Sequence, residues 1–306
     1  MKIVGIGNPV FDYIKTPVVD TRTRVLSGCS TNACLAARRL GAETTLIGCV
    51  GEDFAATFDA ALKRYRIAAH VYPSPETGGF SLVYYDALGN RHLDVLGRAA
   101  PIPSIPEGVV EAADYVIVGP ILGEVSADLL REVRQAARGR VLLDPQGMLR
   151  RIGADGRIEH YRNAEIEAIA PLCDVIKANE VEAETITGIN PRAGEGDLRR
   201  ATQALQRLGC QVAIVTMAAD GSAAFDGDHY TRIPAFATNA IDPTGAGDTY
   251  AAGFVVGYLR YGSLKEACYY GSCVASVMVE HVGPDFPLTA READRRFELL
   301  MRDGSG

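Results

Sequence analysis

The chain has 306 residues, with 31 Lys and Arg against 38 Asp and Glu, which gives a formal net charge of −7. Because 47% of the residues are hydrophobic and 23% are charged, the sequence can bury a large core, and this excludes a disordered or collagen-like chain. The negative charge and the lack of Lys- or Arg-rich runs disfavour a nucleic-acid partner, since phosphate backbones require a basic face.

The predicted elements alternate along the chain between apolar segments of strand length and segments of helical periodicity. This alternation predicts βαβ units and therefore a three-layer α/β fold with a mostly parallel central sheet. Ser126 is a predicted helix N-cap, and Gly41, Gly139 and Gly209 lie where helices favour a C-terminal glycine. The predicted strands cover residues 2–7, 44–50, 115–119, 140–144, 175–177 and 212–216, and the predicted helices cover residues 31–40, 54–64, 126–137, 180–187, 198–208, 246–261, 264–280 and 289–301.

Two segments depart from this pattern. Residues 80–85 and 91–96 flank a glycine-containing turn at 86–90, which predicts a β-hairpin that covers the main sheet or projects from it. Residues 150–163 are polar and predict a surface loop or small hairpin. Since no linker or repeat is visible, we predict a single domain over residues 1–306, with a small β lid formed by about 13–27 and 80–97.

The seven cysteines are an odd number without a C-x-x-C motif, so they predict neither a disulfide framework nor a zinc site. No apolar run reaches the roughly 18 residues of a membrane span, and the run near the start is too short for a signal peptide. We therefore expect a cytoplasmic protein with no membrane partner, either a monomer or a homodimer.

Two glycine-rich nucleotide motifs are disfavoured. Gly5 and Gly7 follow a predicted strand, but the third glycine of a dinucleotide fingerprint is missing and Pro9 lies where the helix should begin. The chain also lacks the G-x-x-x-x-G-K-[ST] pattern of a P-loop.

The strongest functional signal is the segment DPTGAGD at residues 242–248, which runs directly into an alanine-rich helix. Gly245 and Gly247 allow backbone N–H groups to converge at the helix N-terminus, where the helix dipole favours an anion. Asp248 then places a carboxylate beside that anion. An N-terminal cap is the alternative interpretation of Asp248, although it leaves Asp242 and Thr244 unexplained.

This segment resembles the second signature of the ribokinase-like (PfkB) carbohydrate kinases, usually D-T-x-G-A-G-D. Other stretches resemble further elements of that family in the same order, from residue 3 to about 285. Pro243 lies in a variable place of the second signature, and two positions elsewhere depart from the family pattern: Cys29, at the second glycine of a G-G pair, and Ala218, at another usual glycine. The matching stretches are Asp12, GCSTN at 28–32, GED at 51–53, KANEVE at 177–182 and VTMAADG at 215–221.

The resemblance implies an ATP- and Mg²⁺-dependent kinase that phosphorylates a hydroxyl of a small molecule by in-line transfer. Asp248 is then the base, and Gly245, Ala246 and Gly247 complete the anion hole. The remaining implied assignments are Asp12, Gly28, Asn32 and Asp53 to the substrate; Lys177, Asn179, Thr216 and Gly221 to the nucleotide; Asn179 and Glu182 to Mg²⁺ through water; and Asp242 and Thr244 to a monovalent cation such as K⁺.

Several of these residues also have simpler interpretations. Asn179 and Glu182 have the spacing of a helix capping box, Asn32 and Asp12 are common cap and turn residues, and Lys177 is equally well a solvated charge at a strand end. Taken alone, the spacing does not separate the two interpretations.

The acceptor is the least determined part of the prediction. A sugar or polyol is the leading class, a nucleoside is the alternative, and a non-catalytic sugar-binding or regulatory relative is the competing function. Carboxamides and carboxylates on the hairpin would favour a sugar or polyol, whereas an aromatic clamp would favour a nucleoside. The available aromatic residues are Phe11, Tyr13, Phe80, Tyr84 and Tyr85, and further candidate substrate neighbours are Glu124 and Gln146.

Overall fold

The structure, a computed structural model, describes residues 1–85 and 91–303, so the turn predicted at 86–90 lies outside the described residues. The strands are β1 (Lys2–Ile6), β2 (Val10–Lys15), β3 (Val25–Ser27), β4 (Glu43–Gly51), β5 (Ala68–Ser74), β6 (Gly79–Tyr84), β7 (Arg91–Gly97), β8 (Tyr115–Val118), β9 (Arg140–Leu143), β10 (Arg150–Ile152), β11 (Ile158–His160), β12 (Val175–Asn179), β13 (Val212–Thr216), β14 (Ser222–Phe225) and β15 (Tyr230–Ile233). The helices are α1 (Cys29–Arg39), α2 (Ala55–Tyr65), α3 (Ala127–Ala136), α4 (Glu165–Ile169), α5 (Glu180–Thr187), α6 (Glu195–Gln206), α7 (Ala246–Tyr261), α8 (Leu264–Met278) and α9 (Ala290–Asp303).

A nine-stranded sheet in the order β15-β14-β13-β12-β9-β8-β1-β4-β5 forms the centre of the molecule. Within this sheet, each strand from β13 across to β5 pairs in parallel with its neighbour. At the opposite edge, β14 pairs antiparallel with β13, and β15 pairs antiparallel with β14. This sheet confirms the predicted mostly parallel α/β architecture. All six predicted strands are present, and their observed bounds agree to within a few residues.

Alternating strand side chains explain the three layers. Tyr115 and Ile117 of β8 pack into the core that α1, α7, α8 and α9 share, whereas Val116 and Val118 pack into the core on the side of α3 to α6. Because successive side chains of a strand point to opposite faces, a strand that is apolar throughout must be covered on both sides.

The position of α7 depends on its close packing against α8. A Cβ at Gly253 would lie 2.8 Å from Val274 Cβ, and one at Gly257 would lie 2.9 Å from Tyr270 Cβ. These glycines let the two helices approach closely, which fixes where the N-terminus of α7 meets the sheet.

A second sheet, in the order β3-β2-β6-β7, contains the predicted hairpin strands. We call it the small sheet. Its apolar face includes Val10, Ile14, Phe80, Leu82 and Tyr84, and it packs with Ile121 and Leu122 of the main body. Residues 150–163 include the two-stranded hairpin of β10 and β11, which confirms that prediction.

The sequence did not predict β2, β3, β5, β14 and β15. Of these, β3, β14 and β15 have three or four residues, β5 is an exposed edge strand, and β2 lies inside the small sheet. Ser126 is the N-cap of α3, as predicted, because its side chain accepts from Leu129 N at 3.1 Å. Within the described part of the chain, no helix has the length and apolarity that a membrane crossing requires.

Candidate active site

The carboxyl ends of the parallel strands meet the N-termini of α1 and α7, and most of the predicted site residues lie at this edge. Gly245 is the N-cap of α7 with φ 79°, a left-handed conformation that favours glycine. A Cβ at Gly245 would lie 2.9 Å from Asn32 Nδ2, and one at Gly247 would lie 2.7 Å from Lys177 Nζ. Both glycines therefore permit close approach of polar side chains to the helix N-terminus.

The first turn of α7 presents backbone donors. Among residues 1–85 and 91–303, the N–H groups of Gly245, Gly247 and Asp248 have no hydrogen-bond acceptor, whereas Ala246 N donates to Pro243 O at 3.2 Å. Such amides, together with the helix dipole, favour a bound anion. The amide of Ala246, which the sequence included in the anion hole, is thus already directed at a protein carbonyl.

Asp248 lies at the centre of the arrangement and is half-buried. Asn32 Nδ2 donates to Asp248 Oδ2 at 2.9 Å, across 216 residues of sequence. Desolvation and the neighbouring Asp144 carboxylate raise the pKa of Asp248, and Lys177, Asn32 and Cys29 partly offset that rise. The hydrogen bond from Asn32 holds the Asp248 carboxylate in one orientation next to the backbone donors.

Lys177 and Asp144 form a buried ion pair beside this carboxylate. Lys177 Nζ donates to Asp144 Oδ2 at 2.6 Å, and the two side chains are 3% and 2% exposed. Burial alone would lower the pKa of Lys177, but the Asp144 and Glu182 carboxylates raise it above its usual value. The ammonium is therefore charged, so Lys177 is a buried cation and not a solvated strand-end residue.

Asp144 was missed by the sequence analysis. The available signal was its position directly after an apolar strand, because the carboxyl ends of parallel strands meet at one edge of a sheet. Asp144 and Gly119 directly follow the ends of β9 and β8, and Lys177 lies within β12.

Asn179 and Glu182 form the capping box of α5. Asn179 Oδ1 accepts from the N–H groups of Val181 and Glu182 at 2.9 Å, and Glu182 Oε2 accepts from Asn179 N at 2.8 Å. Asn179 Nδ2 also donates to Glu182 Oε1 at 2.7 Å. Glu182 is buried, and its burial together with Asp144 raises the pKa of Glu182 to about 7.

The loop before α7 contains the two predicted cation ligands. Asp242 is fully buried, and its Oδ1 accepts from Thr244 N at 2.9 Å. The hydroxyl groups of Thr244 and Tyr84 are hydrogen-bonded at 2.8 Å. This bond joins the small sheet directly to the loop that precedes the anion site.

Three of the four predicted substrate residues lie near the base or in the small sheet. Gly28 has φ 114° and accepts from Asn32 N at 2.8 Å, which sets the start of the helix that carries Asn32. Asp12 is buried in β2 and accepts from Phe80 N at 2.8 Å. Asp53 is exposed and instead binds the backbone and hydroxyl of Thr77, and no hydrogen bond among the described residues joins it to the Asp248 group.

The predicted nucleotide residues of β13 lie next to Asn179. Thr216 pairs with Asn179 in the sheet register. Gly221 has φ 83°, and a Cβ there would lie 2.1 Å from Ile233 O. Ala218 has φ 49°, so it adopts a left-handed conformation at the position where the family usually has glycine.

Glu124 and Gln146 have local roles in this structure. The Glu124 carboxylate accepts from the backbone N–H groups of Asn8, Ile121 and Leu122 at 2.8–3.0 Å. Gln146 N donates to Asp144 Oδ1 at 3.3 Å. Glu124 therefore organises the loop after β8, and its hydrogen bonds give no support to substrate contact.

A half-exposed carboxylate, free helix amides and a buried ammonium together define a site suited to phosphoryl transfer to a hydroxyl group. The family model of the pfkB family carbohydrate kinases matches residues 11–291. The chain therefore belongs to the pfkB family of carbohydrate kinases.

The chain is also similar over most of its length to individual kinases. It is 27% identical to a nucleoside kinase of Methanothermobacter thermautotrophicus, over 96% of this chain and 95% of that protein. It is 25% identical to the ribokinase of Haemophilus influenzae, over 88% and 86% of the two chains. A solved pyrophosphate-dependent kinase of the ribokinase family superposes with a TM-score of 0.79 at 23% identity, covering 95% of this chain and 99% of the other.

Proposed function

We propose that this kinase transfers the terminal phosphoryl group of ATP to a hydroxyl group of a small acceptor, with Asp248 as general base. The observation that carries the proposal is the position of Asp248, whose carboxylate is fixed by Asn32 beside the unbonded amides of Gly247 and Asp248. Asp248 accepts the proton of the acceptor hydroxyl as the oxygen attacks phosphorus, and the amides bind the charge on the transferred group.

Lys177 supports the same step by its charge. Its Nζ lies so near Gly247 that a Cβ there would be 2.7 Å away. In a buried setting, an ammonium at the helix N-terminus adds to the positive potential that the amides provide. Alignment and charge stabilisation are the main requirements of phosphoryl transfer.

Asn179 and Glu182 fit a role in organising Mg²⁺ through water. Carboxylate and amide oxygens are hard ligands, and each Glu182 oxygen keeps lone-pair capacity beyond its bond to Asn179. When bound, the metal would neutralise the donor phosphates. Thr216 and Gly221 lie beside this end of β12 and complete the proposed nucleotide side, and Asp242 with Thr244 would hold a monovalent cation.

The small sheet supports a nucleoside as the acceptor. Its buried face presents Phe80, Leu82 and Tyr84, and the described part of the hairpin directs no carboxamide or carboxylate into that face. Tyr84 reaches Thr244, so this apolar face lies over the loop that precedes the base. Aromatic and aliphatic side chains stack well on a nucleobase, but Phe80 and Tyr84 are 4% exposed and pack with Ile121 and Leu122, so a base would reach them only when the small sheet lifts away from the main body.

A sugar or polyol, which is the leading acceptor class from the sequence, is the second candidate here because of Asp12. This carboxylate is 4% exposed in the small sheet, and carboxylate oxygens are hydrogen-bond acceptors for hydroxyl groups. In both cases we propose that the small sheet acts as the lid of the site.

A donor and acceptor panel tests the proposal. Purified protein is incubated with ATP or pyrophosphate, Mg²⁺ and one of inosine, cytidine, adenosine, ribose or myo-inositol, and phosphorylated product is measured by mass spectrometry. We expect ATP-dependent phosphorylation of at least one nucleoside and slower turnover of ribose and myo-inositol. Preference for ribose or myo-inositol would overturn the nucleoside assignment. Thermal stabilisation by these compounds without any product would overturn the kinase proposal in favour of a binding protein.

A further inference from the structure

Cys29 occupies the first position of α1, directly after Gly28. Its side chain is 1% exposed and packs in the apolar cluster of the small sheet. A Cβ at Gly119, at the end of β8, would lie 2.5 Å from Cys29 Sγ. The thiol thus fills the space between the small sheet, the main sheet and the base, and glycine at 119 makes room for it.

The thiol also faces the reacting edge of the site. Its Sγ and the nearest carboxylate oxygens of Asp144 and Asp248 all lie within 4.8 Å of one another. Burial raises the pKa of Cys29 well above its usual value, and the two carboxylates add to this effect. The group is therefore a protonated thiol that can donate to a carboxylate, and not a thiolate nucleophile.

Two side chains of α1 therefore lie beside the Asp248 carboxylate. Asn32 Nδ2 donates to Asp248 Oδ2 at 2.9 Å, and Cys29 Sγ, one turn earlier on the helix, lies within 4.8 Å of a carboxylate oxygen of Asp248. The other charged groups that face Asp248 are Asp144, after β9, and Lys177, in β12. A carboxylate fixed by donors from one rigid helix retains its orientation towards an acceptor better than one held by a single amide.

We propose that Cys29 is a positioning residue for the general base, whose thiol, together with Asn32, holds the Asp248 carboxylate ionised and directed at the acceptor hydroxyl. This inference rests on the proposed function of Asp248. The proton of the thiol stays on sulfur throughout, and the acceptor proton passes to Asp248. A hydroxyl at position 29 can replace the thiol as donor, whereas a methyl group cannot.

The direction of the expected change in the pKa of Asp248 follows from the loss of a hydrogen-bond donor. A hydrogen bond to the ionised carboxylate lowers its pKa, so Cys29→Ala removes that contribution and raises the pKa of Asp248. The base is active only when ionised. The acidic limb of kcat/KM against pH should therefore move to higher pH by about 0.5–1 unit in Cys29→Ala, and kcat should fall more than KM changes.

The experiment measures kcat and KM from pH 5 to pH 9 for the wild type, Cys29→Ala, Cys29→Ser and Cys34→Ala, with the acceptor of the five-compound panel that the wild type turns over fastest. Cys34 is the matched control, because it lies on the same helix, is fully buried and contacts Thr45 O instead of the base. We expect the acidic limb of the kcat/KM profile to lie near its wild-type position in Cys29→Ser and to be unchanged in Cys34→Ala.

A second measurement separates this inference from the proposed function. ¹³C NMR titration of the Asp248 carboxyl carbon, assigned by its loss in Asp248→Asn, follows the same pKa without turnover. Equal titration of Asp248 in the wild type and Cys29→Ala, with equal pH profiles, would overturn the role of Cys29 and leave the kinase assignment intact. A shifted titration in a protein with no activity on the panel would support the hydrogen bond and reject the proposed function.

Discussion

Two charged clusters in this molecule contain similar groups but distribute their charges differently. The site cluster consists of Asp144, Lys177, Glu182 and Asp248. The α9 cluster consists of Arg296 of α9 with Glu280, Glu292 and Ser276. Arg296 is 7% exposed, donates to both Glu280 and Glu292 at 2.7–3.1 Å, and also donates to Ser276 Oγ at 2.9 Å.

The pKa values of the carboxylates shift in opposite directions in the two clusters. In the α9 cluster, arginine donors lower the pKa values of Glu280 and Glu292. In the site cluster, desolvation and mutual repulsion raise the pKa values of Asp248 and Glu182, although Lys177 opposes both rises. The α9 cluster is therefore arranged for stability, whereas the carboxylates of the site cluster have raised pKa values, as we propose for a group that acts as a catalytic base.

Lys177→Met should have the largest effect on stability. It leaves Asp144 buried without its ammonium, and breaking a buried ion pair costs about 3–5 kcal/mol. Urea unfolding at pH 7 measures the loss. The double variant Lys177→Met with Asp144→Asn should recover part of it, and the exposed Lys265→Met should change stability by less than about 0.5 kcal/mol. A loss below about 1 kcal/mol for Lys177→Met would show that the pair is not buried as described.

Arg296→Met should have an intermediate effect. The carboxylates of Glu280 and Glu292 are 26% and 29% exposed, so water partly replaces the lost arginine. We expect destabilisation of about 1.5–3 kcal/mol in the same unfolding experiment, the range for hydrogen bonds to charged groups. Turnover should fall less than in the Lys177 variant. The distinction between the clusters would fail if Arg296→Met reduced turnover as strongly as Lys177→Met.

Glu292→Gln should have the smallest effect, and that effect should depend on pH. Hydrogen bonds from Arg295 and Arg296 lower the pKa of Glu292 from its ordinary value of 4.5 to about 2. The folded-state pKa is depressed, so the ionised group stabilises the protein above pH 4.5, and this contribution disappears as pH falls towards 2. Allowing for solvent screening, we expect a cost of about 0.5–1 kcal/mol at pH 7 and a smaller one at pH 4. Glu298→Gln, on the exposed side of α9, is the control, and a cost that does not vary with pH would contradict the prediction.

The sequence predicted the strands of the central sheet well because β1, β4, β8, β9, β12 and β13 are apolar and buried on both faces. It did not predict β2 or β5, which lack that pattern; β5 is a half-exposed edge strand, and β2 lies in the small sheet with its polar Asp12. Local sequence patterns indicate which strands are buried, but they do not specify which strands pair at the edges of a sheet.

The site was predictable in part for a similar reason. The segment at 242–248 contains the proposed anion site and Asp248 within a few residues, so a local motif was enough to propose both. The partners of Asp248 and Lys177 come from distant segments: Asn32 is 216 residues away from the base, and Asp144 is 33 residues away from the lysine. Only the fold brings them together, so the sequence alone did not identify Asp144 as the partner of Lys177.

Asp248→Asn is the most direct test of the central claim that this carboxylate faces the attacking hydroxyl at the N-terminus of α7. The amide keeps the shape of the side chain but removes the base. Transfer of label from γ-³²P-ATP to the best acceptor is measured beside the affinity for a nonhydrolysable ATP analogue. Asp128→Asn is the matched control, because Asp128 also lies in the first turn of a helix but is 93% exposed. We predict that Asp248→Asn retains the affinity for the analogue and loses about 10²–10⁴ in kcat, while Asp128→Asn transfers label normally. A kcat within threefold of the wild type in Asp248→Asn would contradict the account.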